Sequence, residues 1–111
     1  MGVQPLNIRR ADRFFSRLLG LLSAPPLRAN EALLLVPCAA VHTAFMGYPI
    51  DVVFMDAAGS IQKITPNLKP WRATACPGAW QTLEVAAGEA ARHGWQPGDF
   101  PLSTILLKAP Q

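Results

Sequence analysis

Charge is scarce in this sequence: 15% of its 111 residues are Asp, Glu, Lys or Arg, while 50% are hydrophobic. That balance excludes a disordered chain, which stays unfolded by having little to bury and much charge to solvate. Cysteine is scarcer still. Cys38 and Cys76 are too few for a disulfide framework and neither lies in a CxxC motif, so free reduced thiols are expected. No apolar run reaches the length a membrane span needs. The chain also lacks internal repeats, low-complexity tracts, a nucleophile motif and a glycine-rich phosphate loop, which leaves no named enzyme class in view. Neither a metal nor a cofactor is expected.

What is present is enough for one core and no more, so residues 1–111 read as a single domain. Eleven prolines and eight glycines argue for short elements and tight turns rather than a helix bundle. The net charge of +3 comes largely from Arg9, Arg10, Arg13 and Arg17. Clustered in this way they suit the solvated face of one amphipathic helix better than a nucleic-acid surface, whose basic residues are interleaved with aromatics along the chain. The same segment imitates a signal peptide, but Arg17 interrupts its apolar middle and Phe14, Leu18, Leu21 and Leu22 recur at helical spacing. An internal helix, a cytoplasmic location and no membrane or nucleic-acid partner are the expectations. Oligomeric state is not encoded in any motif.

Proline ends that helix at Pro25-Pro26, and Ala32–Val36 then reads as a buried strand. Residues 39–49 read as irregular, because Val41 and Thr43 disfavour helix while Gly47 and Pro49 break a ladder. The run Asp51–Asp56, with apolar Val52-Val53-Phe54-Met55, predicts a central strand covered on both faces. Asp56-Ala57-Ala58-Gly59 is a turn signal, and Ser60–Thr65 completes a hairpin. Leu68–Gly78 reads as a loop with an extended start and Ala79–Val85 as a half-exposed strand. Ala87–Arg92 predicts a short helix capped by Gly94, and Leu102–Leu107 a closing strand. Strands in hairpin-sized pieces imply a mainly β protein: an antiparallel sandwich or partly open barrel of jelly-roll type with two short helices.

Several motifs in order resemble one known family. Pro37-Cys38, Val41-His42-Thr43, Phe45-Met46 and Pro49–Asp56 with Gly59 look like the core signature of the bacterial and archaeal family called domain of unknown function 192. Pro70-Trp71-Arg72, Leu83-Glu84-Val85 with Ala87-Gly88, and Gly94 followed by Pro97-Gly98-Asp99 continue the match, and Arg17–Leu22 is similar to the family's opening motif. Ala40 and Gly47 depart from the pattern, standing where a small hydroxyl and a polar or basic residue are common. The resemblance implies a compact, mostly β domain of jelly-roll or barrel type, without established activity, cofactor or substrate. Some relatives carry an export signal, whereas this chain is expected to begin directly with the domain.

His42, Asp51, Lys69, Trp71, Arg72 and Glu84 are the candidate site residues. A neutral imidazole at His42 can shuttle a proton, and Asp51 could orient it or instead accept loop amides. Trp71 offers a stacking surface, with the Arg72 fork and the Lys69 ammonium suited to a carboxylate or phosphate. Glu84 could pair with Arg72, on a face expected to be open to solvent. Cys38, His42 and Met46 would form a soft-metal set only on a helix, which this segment does not favour. The leading reading is a small noncatalytic binding domain for an anionic small molecule or an extended peptide. Its alternatives are an enzyme with His42 as general base held by Asp51, and an interaction module using a sheet edge or the Trp80 face.

Overall fold

Val52, Val53, Phe54 and Met55 are completely buried, which requires a layer of protein on both faces of their strand. The computed structural model describes residues 7–11, 27–44 and 46–102, and it supplies both layers. Its strands are β1 (Asn7–Ala11), β2 (Glu31–Leu35), β3 (Ala40–His42), β4 (Ile50–Met55), β5 (Ile61–Leu68), β6 (Ala73–Ala75) and β7 (Gln81–Ala86); helix α1 is Glu89–His93. Five strands form one sheet in the order β1-β2-β7-β4-β5, and β3 and β6 pair as a separate ribbon. The chain is thus mainly β, and among the described residues neither sheet closes into a barrel.

Pairing within the large sheet is antiparallel except for β1, which runs parallel to β2 in the register Asn7↔Glu31 to Ala11↔Leu35. Alternation sorts each central strand between two apolar layers. Ala32, Val53, Met55, Leu83 and Val85 share one layer with Ile61, against which Trp95 and Leu102 pack. Leu35, Ile50, Val52 and Phe54 share the other with Val41, Met46 and Leu68. The α1 segment therefore lies over the first face and the β3–β6 ribbon over the second.

The hairpin and the short helix lie where the sequence predicts them. Asp56 Oδ1 accepts from the Ala58 and Ser60 amides at the turn, and Gly94 caps α1 at φ 72. Several expectations need correction. Residues 39–49 are not wholly irregular, and Leu68–Gly78 is not all loop, because β3 and β6 pair with each other across that sequence distance. The strand Ala79–Val85 was expected to be half-exposed, but Gln81–Val85 are all buried, because β7 lies between β2 and β4 with both faces covered. Glu84 accordingly faces the ribbon layer opposite Val52 and is 3% exposed, not solvent-facing. Leu102 is helical with Pro101 rather than the start of a strand; the remainder of that predicted strand and the predicted helix over 14–24 lie outside the described residues.

Candidate functional site

The site is built on the ribbon. Its register is Ala40↔Ala75, Val41↔Thr74 and His42↔Ala73, so Val41 and Thr74 turn inward while Ala40, His42, Ala73 and Ala75 turn out to solvent. Val41 packs into the core, and the Thr74 hydroxyl shares a 2.8 Å hydrogen bond with Thr65 of β5. With those two side chains turned away, the outward face is a shallow trough of about 390 Å³ lined by Ala40, Val41, His42, Ala73, Thr74 and Ala75. Small residues make this surface: an alanine on either strand leaves room that a longer side chain would fill.

At one end of the ribbon the chain passes through Lys69-Pro70-Trp71-Arg72, and Thr43 fixes that passage. Thr43 is completely buried. Its hydroxyl donates to the Lys69 carbonyl at 2.6 Å and accepts from the Arg72 amide at 2.9 Å. Its own amide donates to the Arg72 carbonyl at 2.8 Å, while its carbonyl accepts from the Trp71 amide at 3.1 Å. Gripped on both sides, Trp71 takes the left-handed backbone conformation, φ 62, and the residue is 61% exposed. A left-handed residue with a bulky side chain is disfavoured by about 1–3 kcal/mol, so its surroundings must over-determine it. The hydrogen bonds made by one buried threonine do so.

This arrangement places His42, Lys69, Trp71 and Arg72 at one end of the ribbon, since His42 precedes Thr43 and pairs with Ala73. The Arg72 guanidinium lies exposed, donating to the Trp71 carbonyl at 3.2 Å. Asp51 and Glu84 are not brought there. Asp51, 1% exposed, faces the α1 side of the sheet. One of its oxygens accepts from the Asn67 amide at 2.8 Å and the other from the Gly88 and Ala90 amides at 3.0 Å each. It therefore holds loop amides rather than orienting His42. Glu84 is buried beneath the ribbon, and among the described residues no ion pair joins it to Arg72. Met46 is core, Cys38 and Cys76 are half-buried free thiols, and the described residues hold no group of three His, Cys, Asp or Glu able to bind a metal.

Thr43 is the residue that sequence reasoning missed, and a signal for it existed. It stands two positions after inward-facing Val41, so strand alternation turns it inward too, and a buried hydroxyl needs partners. Lys63 was also passed over. From β5 it reaches the far edge of β6, where its ammonium donates to the Ala75 carbonyl at 2.9 Å.

These features belong to a recognised family. Residues 1–100 match the model of DUF192, described as uncharacterized ACR, and the chain belongs to that family. It is 38% identical over 69 residues to the UPF0127 protein PH1112 of Pyrococcus horikoshii, an overlap of 60% of this chain and 59% of that relative. The match thus spans less than two thirds of the relative's length. Among solved structures, a protein of unknown function from Novosphingobium aromaticivorans superposes with a TM-score of 0.75 at 24% identity, over 86% of this chain and 73% of that one. A Sinorhizobium meliloti protein, assigned only provisionally as a transcription regulator, also gives 0.75 at 23% identity, over 86% and 79%. At such identities the likeness establishes the fold alone. The family is described as uncharacterised and the Novosphingobium protein as one of unknown function, so they assign no specific activity.

Proposed function

We propose that this is a small noncatalytic binding domain, working in the cytoplasm, that takes an anionic small molecule or an extended peptide at the Thr43-clamped loop and the adjoining ribbon. One observation carries the reading. Trp71 is presented to solvent in a disfavoured backbone conformation, held there by a buried threonine. Stability is spent on an aromatic ring that adds little to the core, and strain of this kind gathers at ligand sites. Lys69 and Arg72 beside it supply the charge for a carboxylate or phosphate. The reading takes the sheet and the ribbon as two layers of an open sandwich of jelly-roll type, with the ribbon's outer face offered to the ligand. Acid–base chemistry at His42 gains no support from Asp51, whose carboxylate is occupied by amides on the α1 side.

A thermal-shift screen of carboxylates, phosphates and short peptides tests this, because a ligand of the native state raises Tm by mass action. A hit should lose its shift in Trp71→Ala and in Arg72→Ala, while either variant without ligand melts close to the parent. A ligand whose shift survives both substitutions binds elsewhere, and the loop is then not the site.

A further inference from the structure

The trough beyond the loop has a chemical character of its own. Its lining of three alanines with Val41, His42 and Thr74 is mostly apolar, and among the described residues no carboxylate lines it. A cation stands at each end of β6: Arg72 precedes Ala73, and the Lys63 ammonium is anchored on the Ala75 carbonyl. A drug-sized molecule is held by a cleft that buries most of its surface, and a trough this shallow cannot enclose one. An elongated occupant avoids that difficulty by lying along the ribbon and meeting a cation at either end. Strand geometry sets the spacing. Arg72 and Ala75 are three residues apart, roughly 10 Å along an extended chain, and the two long basic side chains widen the span. In an extended peptide, side chains at i, i+2 and i+4 point to one face and cover about 13 Å.

Resting on the binding reading above, we propose that the trough is a docking site for an acidic peptide of the pattern acidic-x-apolar-x-acidic, with its central side chain on the alanine floor and its carboxylates at Arg72 and Lys63. Trp71, beside Arg72, covers one end of the bound segment. Charge complementarity favours this occupant: the protein carries a net charge of +3, and Arg72 and Lys63, at the two ends of β6, are both exposed.

Fluorescence anisotropy with a labelled Glu-Ser-Val-Ser-Glu peptide at low ionic strength tests the assignment. A Lys-Ser-Val-Ser-Lys peptide serves as control, and succinate and inorganic phosphate are the small-anion probes. The acidic peptide should bind and the basic one should not, with affinity falling as salt is added. Lys63→Glu, which removes one exposed charge pair and sets a like charge in its place, should weaken binding by about fivefold. Ala75→Phe, which fills the trough, should abolish it. Lys63→Gln, with circular dichroism melts on every variant, separates loss of binding from loss of fold. Peptide binding that is lost in Trp71→Ala but indifferent to Lys63→Glu and Ala75→Phe overturns the trough and leaves the loop reading intact. Binding of succinate or phosphate alone does the same. Failure of all four probes overturns both readings. Self-association in sedimentation that disappears with Ala75→Phe identifies a second copy of the chain as the occupant, and also overturns the acidic peptide.

Discussion

Removal of the Asp51 carboxylate should be among the most damaging single changes in the domain, although the residue lies on the face of the sheet turned away from the ribbon. The register between β4 and β5 slips between Ile50↔Leu68 and Val52↔Thr65, so β5 carries one extra residue there. A bulge of this kind leaves backbone groups outside the ladder. Asn67, at φ 51, is in that stretch, and its amide donates to Asp51 Oδ1. The other oxygen accepts from Gly88 and Ala90, two amides at the start of α1 that have no partner within the helix. One carboxylate thus closes a bulge and anchors a helix. In Asp51→Ala all three donors lose their acceptor. An unsatisfied buried donor is unfavourable by about 1–3 kcal/mol, with the upper value suited to enclosed Ala90 and the lower to Asn67 and Gly88, which water can approach. The total is on the order of 3–5 kcal/mol, a large part of the stability of a domain this size.

Asp51→Asn sharpens the test because it keeps the shape. Its single carbonyl oxygen can serve α1 or the bulge, while its NH2 group confronts the remaining donors. An intermediate loss of about 1–3 kcal/mol is expected. Urea titration measures both variants, and the m-value should be unchanged if the fold is retained. Hydrogen exchange on Asp51→Asn adds a local readout: Asn67, or the Gly88 and Ala90 pair, should lose protection, but not both. A loss below about 1 kcal/mol for Asp51→Ala would refute the reasoning, since the three amides would then have another acceptor.

Phe54→Ala should lower stability by about 3–5 kcal/mol in the same titration, because the ring is wholly buried in the layer beneath the ribbon. Thr43→Val keeps the shape but removes the hydroxyl from Lys69 and Arg72; a loss of about 1–3 kcal/mol is expected, together with a change in tryptophan fluorescence anisotropy as the loop carrying Trp71 loosens. Glu89 is held below its ordinary value of 4.5 by its hydrogen bonds with Arg92 and, against the opposing effect of burial, by the Asn30 amide. Its contribution to stability is therefore complete above pH 4.5 and is lost as pH falls through the lowered value, so Glu89→Gln should flatten the acid limb of a stability–pH profile. Since Cys38 and Cys76 are free, reductant should leave Tm unchanged, and a fall of several degrees would reveal a disulfide.

What the sequence made legible followed from local chemistry. A four-residue apolar run can only be a strand with two covered faces, and Asp56 before Gly59 can hardly be anything but a turn. The ribbon was illegible for a different reason. Ala73-Thr74-Ala75 has no alternation strong enough to mark a strand, and it becomes one because β3 offers it a ladder from more than thirty residues away. Asp51 and Glu84 show the same limit from the other side. Each is a carboxylate next to an apolar run, and composition alone gives both a claim to the surface. Which face of the sheet each one takes depends on what covers that face, and only the topology supplies the coverage.

Thr43 carries this argument furthest. By residue type alone, the imidazole of Val41-His42-Thr43 draws attention because it can do chemistry. Strand parity reverses the emphasis: it turns His42 outward to the trough and Thr43 inward to the loop. The outward histidine faces the ribbon's solvent side, whereas the inward threonine sets the backbone on which Trp71 and Arg72 are presented. If the loop is the binding element, Thr43→Val should therefore weaken a ligand more than it weakens the fold, and His42→Ala the reverse only if the ring is structural. Comparing the two variants by ligand-induced Tm shift and by urea titration separates a residue that touches the ligand from one that shapes the site.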